Sequence, residues 1–267
     1  MNAHCAPIGI LAGGGAYPAL LAERILNEGH RVPVAAIKGH FSAKLPAGCG
    51  PRTEFPLGAF GNVARFFLAQ GAAQIIFAGN VARHRLGHSL RPDRHALRLL
   101  PKALLAGDDS LLRRVADTFM HLGLQVISPR PYLGDLLAPR GLLAGPDIDQ
   151  QTREDIELAR SAAKKLGAAD QGQAAIAFCG RVVSLEDRRG TNALIARAPG
   201  PGAVLAKVLK PGQDARFDLP TIGPTTALIA GKLRFKALAV EADGVVLLEK
   251  NRLLQLCAKR HISLIGV

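Results

Sequence analysis

Asp218 is the residue in this chain best placed for chemistry. It stands within residues 215–227, ARFDLPTIGPTTA, between a stretch patterned as a strand, 203–209, and one patterned as a helix, 225–233. Pro224 suits the first helical position, because its fixed φ matches the helix and an N–H there would lack a partner. The first-turn N–H groups, the hydroxyls of Thr221, Thr225 and Thr226, and the cations Lys207, Lys210 and Arg216 would together form a phosphate pocket around one carboxylate. A carboxylate in such a pocket acts as a metal ligand or a general base. The plainer alternative is that Asp218 caps a turn.

A second anion-binding pattern opens the chain. Residues 8–12 form an apolar run ending in Gly13, Gly14 and Gly15, and Pro18 then opens an amphipathic stretch that stops at Gly29. With a buried-type strand at 32–37, this predicts a βαβ unit whose loop brings backbone N–H groups close to a phosphate. The dinucleotide fingerprint is incomplete, since Pro18 replaces its third glycine. The acid that would hold a ribose is absent, and Lys38 and His40 follow the second strand instead. NAD is therefore disfavoured. An NADP-dependent oxidoreductase and a different phosphorylated ligand both remain consistent with the loop, as does a tight strand-to-helix turn.

Composition narrows the partners. The net charge of +13 is spread along the chain, with 15 Lys and Arg against 8 acids in 1–135 and 19 against 13 in 136–267, so there is no basic tail. Such a balance favours anionic partners: a phosphorylated substrate, an acidic membrane surface or nucleic acid. With no Trp, 2 Tyr and 10 Phe the chain is poor in stacking platforms, and it has no helix-turn-helix or zinc-finger pattern, so nucleic acid is not expected. A non-catalytic basic anion-binding module stays as a rival. Cys5, Cys49, Cys179 and Cys257 are far apart and read as reduced thiols in a cytoplasmic protein. No secretion signal and no run of about 18 apolar residues is found, so membrane contact would be peripheral.

Along the chain, residues 58–71 predict a helix with Val63, Phe66, Phe67 and Leu68 inward, and 74–78 a third strand ending at Gly79-Asn80. Residues 83–98 hold five Arg and three His and read as a solvated basic loop. His84 and His88 have helical spacing but no acid completes a zinc set. Residues 108–122 predict a helix capped by Asp108 or Asp109, and 124–127 a strand. Prolines and glycines between 128 and 146 mark a domain junction. Beyond it come a helix at 148–166, a β-rich stretch at 174–186 turning at Gly180, and a loop entering a helix at 190–193. A strand holding Lys207 and Lys210, a hairpin at 237–248 around Asp243-Gly244, a helix at 251–260 and a strand at 262–267 complete the chain. The reading is α/β: a Rossmann-like N-terminal domain at 1–130, a linker at 131–146, and a C-terminal α/β catalytic domain with a mixed sheet at 147–267.

Four stretches then align with one family: LAGGGAYP at Leu11, FAGNV at Phe77, GDDSLLRRV at Gly107 and KPGQDARFDLPTIGP at Lys210, with further likeness from Asp170 onward. The chain resembles the LpxI-type UDP-2,3-diacylglucosamine pyrophosphatases of lipid A biosynthesis. The resemblance implies a two-domain enzyme with its ligand between the domains, cleaving the substrate to 2,3-diacylglucosamine 1-phosphate and UMP with a divalent metal, magnesium first. It implies that Asp218 is catalytic and a metal ligand. It also implies that Gly13, Gly14, Gly15, Asn80, Val81, Gln173, Thr191, Lys207, Lys210 and Thr221 contact substrate. A cytoplasmic protein peripheral to the inner membrane follows, with a homodimer as one assembly open to it. The chain departs from the family in two places: it reads RGTN, with Arg189 and Asn192, where the family shows EGTD, and it has Ala59 where the family is commonly acidic.

Overall fold

The computed structural model describes residues 5–81, 90–98, 108–212, 214, 216, 217 and 219–267, and for 108 and 109 the backbone alone. By its contacts the chain divides into two compact units. The first is Met1–Leu133 with Asp214–Asp218, and the second is Gly134–Gln213 with Leu219–Val267.

In the first unit β1 (Ile8–Ala12), β2 (Val34–Ile37), β3 (Arg52–Phe55), β4 (Gln74–Ala78) and β5 (Gln125–Val126) form one sheet in the order β3-β2-β1-β4-β5. Each neighbouring pair is parallel, which is the half-sheet order of a Rossmann-like fold. Parallel strands are joined by crossovers that cover both faces, so the inner strands are apolar throughout. Val34, Ala35, Ala36 and Ile37 are accordingly all buried. The strand at 52–55, RTEF, was not anticipated, and 74–78 is therefore the fourth strand. Charged edge strands carry little apolar signal, and Arg52 and Glu54 pair on one side of this one at 2.6 Å.

Helix α1 (Tyr17–Asn27) packs on β1 and β4. Helices α2 (Phe60–Ala69) and α4 (Asp108–His121) share a core with Ile75, Leu124 and Val126. Between them lies the short α3 (Arg94–Leu97), whose cap Asp93 accepts from the N–H groups of His95 and Ala96. Leu68, expected inward, is 44% exposed, because Val63, Ala64 and Phe67 already fill the inner stripe of α2. The predicted caps Asp108 and Asp109, His84 and His88, and residues 83–89 of the basic stretch lie outside the described side chains, while the rest of that stretch, expected as loop, contains α3.

The second unit is built on a mixed sheet ordered β6-β13-β11-β9-β7-β8. Its parallel centre is β9 (Val204–Lys207), β11 (Ala237–Val240) and β13 (Ser263–Gly266); β6 (Gly141–Ala144) pairs antiparallel with β13 on one side, and on the other β7 (Ala174–Phe178) pairs antiparallel with both β9 and β8 (Arg181–Leu185). Helix α5 (Gln150–Ala168) covers one face, where Ala159 meets Val204, Ala206, Ala237 and Ala239. Helices α6 (Thr191–Ala196), α7 (Pro224–Lys232) and α8 (Lys250–Lys259) cover the other with Leu194, Ile195, Ala227 and Leu253. Each large aliphatic side chain so buried contributes about 1.5–3 kcal/mol.

Three expectations change here. Residues 131–146, read as a linker, hold two 3-10 turns and β6, because Leu136 and Ala138 have a core to enter. The hairpin at 237–248 is absent. Asp243, at φ 55°, does turn the chain, but the apolar β11 is claimed by β9 and β13. The chain after the turn forms β12 (Val246–Leu247), which pairs in parallel with β10 (Thr221–Ile222). The strand at 203–209 ends at Lys207, short of Lys210.

Candidate active site

In the first unit the glycine loop follows β1 directly and meets the end of β4. Gly13 N–H donates to Ala78 O at 2.8 Å, Gly14 N–H to Asn80 O at 2.7 Å, and Asn80 N–H back to Gly14 O at 3.1 Å. The approach requires small residues. A Cβ on Gly13 would lie 2.5 Å from Asn80 O, and one on Gly79, whose φ is +85°, would lie 2.5 Å from Gly14 O. The two loops sit at the carboxyl ends of β1 and β4, where the strand order reverses and open α/β sheets bind ligands. Helix α1 starts there with Ala16 as an N-cap that makes no side-chain bond. Gly13, Gly14 and Asn80 are thus brought together, with Gly15 next in the loop and Val81 exposed just beyond it.

In the second unit a buried polar cluster forms at the end of β9. Alternation puts Lys207 on the face of Leu205, towards α6–α8, and leaves it 7% exposed. Its ammonium donates to Thr191 Oγ1 at 2.9 Å and to Thr221 O at 2.8 Å. Thr191, the first residue of α6, donates its hydroxyl hydrogen to Glu186 Oε1 at 2.6 Å. The other oxygen of Glu186 accepts from Gln173 N–H at 2.8 Å. The Gln173 carbonyl accepts from Val208 N–H at 2.9 Å, and its side-chain Oε1 is buried without a hydrogen-bond partner among the described residues. Gln173, Thr191, Lys207 and Thr221 therefore converge, Thr221 through its carbonyl and not its hydroxyl. Glu186 was missed. The one hint was an acid closing an otherwise exposed strand, a position that the structure buries to 9%.

Other cations expected around the pocket have partners of their own. Lys210 binds Asp170 at 2.6 Å. Arg216 forks onto Asp214, with Nη2 2.7 Å from Oδ2 and Nε 3.0 Å from Oδ1. The Arg216 guanidinium holds the Asp214 carboxyl below the usual carboxylate range, against partial burial, which pushes the other way. Phe217, 2% exposed, stacks on Phe77 with centroids 5.9 Å apart in the core of the first unit. Asp218 lies outside the described residues, and its neighbours Phe217 and Leu219 are both buried. Pro224 does open α7, and Thr226 in that first turn donates to Asn192 Oδ1 at 3.1 Å. Arg189 is neutralised at the surface by Asp187, 2.6 Å away.

Among the described residues no three His, Cys, Asp or Glu side chains could hold a metal ion, and no helix is long and apolar enough to cross a membrane.

A Rossmann-like parallel unit with a glycine loop at its switch point, joined to a mixed-sheet unit with a buried lysine at its strand ends, defines an α/β enzyme of two units. The LpxI N-terminal domain matches residues 7–136 and the LpxI C-terminal domain residues 139–265, so the chain belongs to the LpxI family. It is 31% identical over 274 residues to the UDP-2,3-diacylglucosamine pyrophosphatase LpxI of Caulobacter vibrioides, with 97% of each chain covered.

Proposed function

We propose that the protein hydrolyses the pyrophosphate bond of UDP-2,3-diacylglucosamine to 2,3-diacylglucosamine 1-phosphate and UMP, in lipid A biosynthesis. The observation that carries this reading is the full-length kinship with a relative of that name, spanning both domains. The chemistry of the site supports it. In the reaction water attacks one phosphorus, the bond from that phosphorus to the bridging oxygen breaks, and the bridging oxygen leaves with the other phosphate. Charge accumulates on the phosphoryl oxygens, and a fixed buried cation such as Lys207 stabilises it without reorganising. The start of α1, just after the glycine loop, favours a phosphate through the helix dipole, and Asp218 is the carboxylate that would direct water.

A divalent cation, magnesium first, with Asp218 as its ligand belongs to the same proposal and would share in neutralising the diphosphate. The finer setting is a cytoplasmic protein working at the inner-membrane surface, for which the net charge of +13 supplies attraction to anionic lipid. The test presents UDP-2,3-diacylglucosamine in mixed micelles with magnesium to the purified protein and follows both products by mass spectrometry. The Asp218→Asn variant should lose about 10²- to 10⁴-fold in kcat. Absence of UMP release by the parent protein would overturn the reading, and a variant keeping more than about a tenth of the turnover would overturn the role of Asp218.

A further inference from the structure

We infer that Glu186 is a positioning residue, which holds the Lys207 ammonium for the substrate diphosphate through the hydroxyl of Thr191. The inference rests on the pyrophosphatase reading for its substrate and on geometry for the rest.

An ammonium has three donors and no acceptor, and a hydroxyl has one hydrogen to give. At 2.6 Å from Glu186 Oε1, the Thr191 hydroxyl commits that hydrogen to the carboxylate. Its oxygen is thereby left as an acceptor towards Lys207, 2.9 Å away. The chain of polarity runs one way, from ammonium to hydroxyl to carboxylate. The carboxylate is itself held in orientation by Gln173 N–H at 2.8 Å. All three side chains are at most 9% exposed. Glu186 is the carboxylate that reaches Lys207 through this chain.

The β7–β8 hairpin does not by itself require a buried acid at this point. Glu186 N–H already bonds Ala174 O at 2.9 Å, and Gly180 makes the turn at φ +75°. A burial this costly is accounted for by the lysine it serves.

The experiment uses the full-length protein and the variants Glu186→Gln, Thr191→Val, their double, Thr191→Ser and Lys207→Met. For each, kcat and KM are measured on UDP-2,3-diacylglucosamine in micelles, affinity for inorganic pyrophosphate by calorimetry, and melting by circular dichroism. Glu186→Gln and Thr191→Val should each lower kcat about 10-fold or more. Their double should be no worse than the weaker single variant, since both break one chain. Thr191→Ser should recover kcat to within about threefold of the parent. Pyrophosphate affinity should fall in step, towards that of Lys207→Met.

Multiplying losses in the double variant, or a Glu186→Gln protein within twofold of the parent kcat, would overturn the inference. If Glu186→Gln fails to fold, the contrast between Thr191→Val and Thr191→Ser decides alone. If the parent lacks hydrolytic activity, the functional reading fails, and the pyrophosphate series then decides the positioning role. Absence of pyrophosphate binding by the parent overturns that role as well.

Discussion

Truncating Phe217 to alanine removes a ring that is 2% exposed and belongs to the same core as Phe67, Ile75 and Phe119. A buried Phe→Ala change costs about 3–5 kcal/mol in lost transfer energy and residual cavity. The stack on Phe77 and the Arg216 guanidinium 5.2 Å from the ring put this site at the upper end of that range. The chain contains no Trp, and its two tyrosines, Tyr17 and Tyr132, both lie in the first unit. Tyrosine fluorescence in urea therefore reports that unit alone, which avoids treating two units as one transition. With a denaturant slope of about 1.5 kcal/mol per molar for a unit of this size, the midpoint should fall by about 3 M. Phe217→Leu, which keeps part of the volume, should lose about half as much. A Phe217→Ala midpoint within about 0.7 M of the parent would refute the packing described for Phe217.

Three further outcomes follow. Asn192→Asp should tighten the magnesium dependence of the rate if the α6 loop faces the ion, and an unchanged titration would remove Asn192 from that role. Exposed Cys5 and Cys179 should react at once with a thiol reagent, while Cys257, whose thiol burial pushes up to about 11, should react only on unfolding. Because that thiol ionises first in the unfolded chain, its contribution to stability should drain away between about pH 9 and pH 11, and early labelling of all four cysteines would contradict its burial. Asp214 titrates lower when folded, so its pairing with Arg216 stabilises above the unfolded carboxyl value and is lost as pH falls through the folded one. The stability gap between parent and Arg216→Met, about 1 kcal/mol or less at pH 7, should close below about pH 4, and a gap constant with pH would dismiss the pair.

Much of this architecture was legible where local chemistry and burial agree. The apolar run of β1, the glycines after it and Pro224 at the start of α7 each carry a local reason to be what they are. The failures have a common physical cause, which is that tertiary partners decide. RTEF at β3 is a strand because β2 offers it an edge, and nothing in its polar residues says so. Asp243-Gly244 makes a turn as expected, but the apolar β11 before it is taken by β9 and β13. Lys207 and Lys210 look alike in sequence, and one enters the buried cluster while the other is paired to Asp170, forty positions away. Glu186 gave almost no signal, since its burial depends on Gln173 and Thr191 being folded around it.

The membership of residues 214–218 in the first unit has a consequence for biosynthesis. Phe217 leaves the ribosome about 80 residues after Leu133, the last residue of that unit's main segment. At roughly 5–20 residues per second this is an interval of about 4–16 s in which a nascent sheet of five strands waits with an unfilled site beside Phe77 and Phe119. During translation the first unit is thus complete in strands but incomplete in core, and its final side chain arrives only after much of the second unit has been made.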